Sequence, residues 1–118
     1  MALTDARAVS IPATSTVNVF LGQPSEFLGA PSVGRLLWTA DAAGLTGQLL
    51  TNIGGNQNVP IAAGSSLNVA ATAGAGPKED EDQIATNIPY PLGSRNQLNI
   101  TNTTGAAIIM RYRHYIAP

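Results

Sequence analysis

Residues 97–118 read QLNITNTTGAAIIMRYRHYIAP, and the way this stretch alternates decides the fold. Side chains on a strand point alternately to opposite faces. From Ala106 onward, Ala106, Ile108, Met110, Tyr112, His114 and Ile116 fall on one face, and Ala107, Ile109, Arg111, Arg113 and Tyr115 on the other. The first set is the better core face, on which Tyr112 and His114 need hydrogen-bond partners. The second grades from apolar to cationic and suits a subunit contact better than a catalytic pocket. QLNITN has the same period of two, and Thr103-Thr104-Gly105 supplies a turn between the runs. The chain therefore closes on a hairpin whose last strand is long.

The same punctuation recurs upstream about every ten residues, as in an all-β sandwich or barrel. RAVSI (7–11) stops at Pro12, and STVNVFL (15–21) places Val17, Val19 and Leu21 on one face. Residues 22–34 are rich in glycine and proline and predict a long crossing between sheets. RLLWT (35–39) is a strand, ADAAG a short helical turn, and LTGQLLTNI (45–53) a strand that enters a GGNQ turn. NVPIA and SSLNVAAT (65–72) form two further strands about an Ala-Gly-Ser turn. Pro89 and Pro91 flank Tyr90, which keeps that segment out of the middle of a sheet because proline donates no ladder hydrogen bond. The expectation is one all-β domain, a jelly-roll-like β-sandwich of seven to nine short antiparallel strands. Residues 15–118 make the sandwich, and 1–14 an N-terminal arm or an edge strand. An immunoglobulin-like sandwich is the other topology of this size, without the Cys and Trp signature.

Composition narrows the function. The chain has 118 residues, enough to bury about two thirds of its unfolded surface. Apolar residues are 44 %, but charged residues only 11 %, against roughly 25 % in an ordinary soluble domain. A surface of Ala, Gly, Asn, Thr and Ser in place of mixed charge points to a chain that shares much of its surface with neighbours. Net charge is −1, and Arg7, Arg35, Lys78, Arg95, Arg111 and Arg113 are scattered, so no basic stripe tracks a phosphate backbone and nucleic acid is not an expected partner. There is no cysteine. MALTDARAVSIPATS lacks the charged and apolar regions of a signal peptide, and no apolar run is long enough to span a membrane. The expectation is synthesis in a cytoplasm, with no membrane partner.

No reactive constellation stands out. Nucleophilic catalysis needs a nucleophile, a base within hydrogen-bond reach and an orienting acid. His114 is the only histidine, no G-x-S-x-G elbow occurs, and the one acidic cluster, Glu79, Asp80, Glu81 and Asp82, lies in a glycine-rich loop. That cluster lacks the Asp-x-Asn/Asp spacing and glycine of an EF-hand. GAG (74–76) runs into proline rather than a helix start, so no phosphate cradle forms and no cofactor is expected. Asn99 and Asn102 both head N-x-T triplets, which without a signal peptide read as strand residues. The sequence therefore predicts a protein that is not an enzyme.

The low charge and the runs VPIAAGSSLNVAA (59–71) and NQLNITNTTGAAIIMRYR (96–113) resemble small phage capsid decoration (cement) proteins and single jelly-roll virion subunits. The resemblance spans the chain and implies a homo-oligomer, commonly a trimer, made in the host cytoplasm and seated on the capsid exterior, where it bridges copies of the major capsid protein. The alternative is a carbohydrate- or receptor-binding β-domain of a viral fibre or spike, with Trp38 or Tyr90 as stacking platform, although Trp38 sits in an apolar run that suits a core. On the first reading Arg111 or Arg113 is expected to meet the acids Glu79, Asp80, Glu81 and Asp82 across a subunit boundary.

Overall fold

The computed structural model describes residues 3–28, 31–52, 58–66, 83–90 and 93–117. Among them there is no helix, and the strands are β1 (Leu3–Ile11), β2 (Thr16–Asn18), β3 (Phe27–Leu28), β4 (Ser32–Ala40), β5 (Leu45–Asn52), β6 (Asn58–Ser66), β7 (Gln83–Tyr90), β8 (Ser94–Asn102) and β9 (Ile108–Ala117). The protein is all-β, with two antiparallel sheets. One runs β1-β9-β4-β7 and the other β2-β8-β5-β6, with β3 also paired to β8.

The pairing nests. The first strand pairs with the last along its whole length, from Leu3↔Ile116 to Ile11↔Ile108. β2 pairs with β8, β4 with β7, and β5 with β6. The successive nested pairs fall alternately in the first and second sheet. β7, which carries Pro89, is the outer strand of its sheet, the position at which a sheet tolerates proline.

The alternation of the last strand follows the burial. Ile108, Met110, Tyr112, His114 and Ile116 are buried, while Ile109, Arg111, Arg113 and Tyr115 are exposed or half-buried. They meet Leu36, Trp38 and Ala40 of β4, Leu45 and Leu49 of β5, Leu98 and Ile100 of β8 and Phe20 in one core that both sheets share. Fully burying each large apolar side chain contributes about 1.5–3 kcal/mol. Trp38 is fully buried in that core.

Four local expectations change. Ala106 is exposed and belongs to the turn before β9, not to its core face. The run 15–21 is a strand only over Thr16–Asn18. There the Asn18 side chain takes the N–H groups of Phe20 (3.1 Å) and Leu98 (3.2 Å), which turns the chain inward, buries Val19 and Phe20, and leaves Leu21 67 % exposed. Residues 41–43 bend without forming helix, because Asp41 N–H bonds the Ile109 carbonyl across the sheet. Residues 58–66 form one strand through Ala62-Ala63-Gly64 rather than a turn between two. The 67–72 part of the expected second strand and the acids at 79–82 lie outside the described residues.

Candidate functional site

Among the described residues, two networks of buried polar side chains stand out, one at each end of β1. At one end, β1 and β9 run side by side in a register that sets Asp5 opposite His114. Both lie on the inward face, as the period of two requires. The 19–26 segment folds over this end through turn bonds from Gln23 N–H to Phe20 O (2.9 Å) and from Glu26 N–H to Gln23 O (3.0 Å). Gly22 takes the positive φ of 74° that this path needs. Asn96 of β8 fixes the segment from the other sheet: its backbone N–H bonds Glu26 O (2.6 Å) and its side-chain amide bonds Ser25 O (3.1 Å). Ser25 is thereby held between the sheets.

Its hydroxyl completes a chain of side chains. Ser25 Oγ donates to Asp5 Oδ2 (2.5 Å), and Tyr112 O–H donates to the same oxygen (3.1 Å). His114 Nδ1 lies 2.8 Å from Ser25 Oγ, and His114 Nε2 lies 2.7 Å from the Tyr90 hydroxyl. Because the one serine proton is committed to Asp5, Ser25 must accept from Nδ1–H. A neutral ring then leaves Nε2 as acceptor of the Tyr90 O–H. This tautomer is assigned from the network. Every proton in the chain points toward the Asp5 carboxylate. Phe20 stacks on the imidazole at 5.0 Å and 11°, and meets Tyr112 edge-on at 5.5 Å.

Burial governs the electrostatics. Ser25 and His114 are fully buried and Asp5 is 4 % exposed. Desolvation lowers the His114 pKa to about 4, and the neighbouring Asp5 charge offsets this only in part. The same desolvation holds the Tyr90 phenol far above its ordinary range. It does so for Tyr112 too, where Asp5 adds to the effect and Arg7 opposes it. Arg7 turns its guanidinium to the Val19 carbonyl (3.0 Å) and so ties β1 to the start of the same segment.

Asp, His and Ser are the residue types of an acyl-transfer triad, but the order differs. In that triad the histidine accepts the serine proton and the acid orients the far ring nitrogen. Here serine sits between acid and imidazole, its proton goes to the acid, and the far nitrogen faces a tyrosine. A fully buried Ser25 also leaves no room for a reacting carbonyl. What this arrangement does chemically is satisfy buried polar groups and bind three strands and a loop together.

The opposite end is organised by Asn102. Its amide donates to Ile11 O (3.0 Å) and Ala106 O (2.9 Å), while Oδ1 accepts from Thr104 N–H (2.9 Å) and Thr104 O–H (2.7 Å). One side chain thus joins the β1–β2 and β8–β9 turns. Of the two N-x-T asparagines, Asn102 is 1 % exposed and Asn99 is half-buried on β8.

The residues singled out in the sequence fall on three places. Trp38 and Tyr90 are both buried, so neither offers a ring for a sugar to stack on. Arg111 and Arg113 lie on the outer face of β9, apart from the buried chain. Arg111 forms an ion pair with Asp41 of its own chain at 2.6 Å, and Arg113 donates to the Tyr115 hydroxyl at 3.4 Å. Arg35 stacks over the Tyr115 ring at 4.7 Å. Glu79, Asp80, Glu81 and Asp82 lie outside the described residues. Sequence reading missed Asp5 and Ser25 altogether. For Asp5 a signal existed: it is the one acid in a short alternating run, in phase with the inward positions Val9 and Ile11. Ser25 carried none, since only the folded loop brings it near His114.

No protein-family model matches this sequence, and no curated protein or solved structure matches it either.

Proposed function

We propose that this protein is a non-enzymatic virion structural protein, a capsid decoration (cement) subunit with a jelly-roll fold. It works as a homo-oligomer on the capsid exterior, against the major capsid protein. The observation that carries the reading is the nested pairing of first strand with last, second with second-last, and so inward, distributed over two sheets. A jelly roll is such a two-sheet roll of about eight strands, a form common in viral capsid domains. The internal placement of Asp5, Ser25 and His114 supports the non-enzymatic part, since the residue types that carry chemistry are spent on holding the fold.

The outward surface suits repeated contact. The solvent-facing residues of β1 are Thr4, Ala6, Ala8 and Ser10, small and uncharged. Small side chains let a neighbouring surface approach closely, and modest contacts repeated over many copies add up to a stable shell. Quantitative mass spectrometry of purified particles tests the proposal. A decoration protein appears at a copy number comparable to that of the major capsid protein and leaves the particle without releasing the genome. Copy number matching a single vertex or fibre tip would instead favour receptor binding, and absence from particles would overturn the reading.

A further inference from the structure

The buried chain does more than fill the end of the core, because one of its members can gain a proton that its neighbours cannot accommodate. We propose that Asp5, Ser25, His114 and Tyr90 form an acid-operated latch, in which a second proton on the His114 ring unfastens the 19–26 segment from β9 and opens this end of the protein before the sheets separate.

The argument starts from the donors and acceptors. With Nε2 protonated, both ring nitrogens are donors, and the Tyr90 O–H facing Nε2 at 2.7 Å must turn away from it. The hydroxyl is buried, so its proton loses its acceptor. The cation also sits without water, stacked on Phe20. Asp5 is the nearest countercharge, but Ser25 stands between it and Nδ1.

Other groups around the ring do not absorb the proton's effect. β1 contributes Asp5 and Arg7, and the Arg7 guanidinium is turned to Val19 O. β7 contributes Tyr90, and β9 contributes Tyr112, whose hydroxyl is already donated to Asp5. β8 contributes Asn96, which holds the segment rather than the ring. β4 brings only Gly34 and Leu36.

Relief therefore comes from exposing the ring, and the cover is the 19–26 segment, which supplies both Phe20 and Ser25. Lifting it breaks a few turn bonds, the Val19 N–H to Leu98 O bond, the Arg7 and Asn96 ties and the Ser25 links, and exposes Val19 and Phe20. Separating β9 from β1 and β4 would break two full ladders. Local opening is the cheaper path. The lowered His114 pKa sets the window: with the ordinary 6.5 in the open form and about 4 in the closed form, opening is favoured about 20-fold more at about pH 5 than at about pH 7.

Hydrogen exchange on the full chain, corrected for intrinsic rates, reads this out. Between about pH 7.5 and about pH 5, opening at the Leu21, Gln23 and Glu26 amides is expected to rise about 25-fold, while Leu49 in the second sheet keeps its protection. The His114→Phe/Tyr90→Phe double variant keeps an aromatic pair without a titrating ring, and its loop opening should not change with pH over this range. Ser25→Ala, which removes the hydroxyl that joins the segment to Asp5 and His114, should raise loop exchange at about pH 7.5 toward the wild-type level at about pH 5. The proposal is overturned if loop and sheet amides open together in the wild type. It is equally overturned if the double variant keeps the pH response, or if Ser25→Ala leaves the loop as protected as before.

Discussion

Gly34 of β4 lies against the hydrogen bond between Tyr90 and His114. A Cβ at this position would fall inside the contact limit of the Tyr90 ring and 3.1 Å from His114 Nε2. Neither neighbour can yield easily, because Tyr90 is buried and His114 is fixed at both ring nitrogens. Gly34→Ala is therefore expected to destabilise the fold by about 1–3 kcal/mol, as overpacking of a full core does. Tyr90→Ala removes the obstructing ring, so the alanine at 34 should cost much less in that background. A double-mutant cycle in urea would measure the coupling, and strict additivity would show that Gly34 and Tyr90 do not oppose one another.

Alkali should find the other weakness of the buried chain. The phenols of Tyr90 and Tyr112 are held above their ordinary pKa of 10 in the folded state, chiefly by burial. A raised folded pKa means that the unfolded chain releases these protons first. The stability they contribute is full below about pH 10 and falls as pH rises beyond it. In the folded protein, phenolate absorbance near pH 10 should account for fewer tyrosines than in the denatured protein. The urea midpoint should drop over the same range. Equal absorbance changes in the two states, with the fold intact by circular dichroism, would refute the assignment.

Asn102 is the test of the other end. Asn102→Ala takes the amide away from the Ile11 carbonyl and the acceptor away from the Thr104 N–H, while Ala106 O keeps the Thr104 hydroxyl. Leaving buried polar groups unmade costs about 1–3 kcal/mol. Asn99 shares the strand and the N-x-T pattern, but its amide bonds only the Gln97 side chain, at 3.2 Å, on a half-buried position. Asn99→Ala should stay within about 0.5 kcal/mol. Thermal melts of the two variants side by side decide the matter: similar losses would mean that Asn102 is not the hub its contacts describe.

The contrast between these asparagines shows what the sequence carried and what it did not. Alternation along 108–116 is a local signal, and it told core from surface on β9 residue by residue, including the inward placement of Tyr112 and His114. The partners of those two side chains are set by strand register and loop path, which join residues 24, 89 and 107 positions apart. Asp5 becomes visible only once β1 is known to lie against β9. Ser25 sits in a stretch whose glycine and proline marked it as a loop, and a loop's residues carry no period from which to place them. Val19 and Leu21 failed for the same reason: Asn18 ends the strand with its own side chain, and an alternating pattern does not reveal which asparagine will do so.

The ion pair with Asp41 sharpens the expectation that Arg111 or Arg113 joins subunits. Both arginines lie on the outer face of β9, and we propose that one of them meets the 79–82 acids of a neighbouring subunit. Arg111 also holds Asp41 of its own chain, with side-chain exposures of 20 % and 28 %. A partly exposed pair of this kind contributes only about 0.2–1 kcal/mol, so Asp41→Ala should change the stability of the subunit by no more than that. Asp41→Ala is then the control for the intrachain pair. Arg111→Ala/Arg113→Ala removes that pair together with any contact across the boundary. If the chain associates as proposed, sedimentation should show weaker association in the arginine double variant and in about 1 M salt, where exposed charges are screened within a few ångströms. Asp41→Ala should leave association unchanged. An oligomer indifferent to both salt and the double variant would show that these arginines do not join subunits. Equal weakening by Asp41→Ala would trace the effect to the orientation of Arg111 within its own sheet.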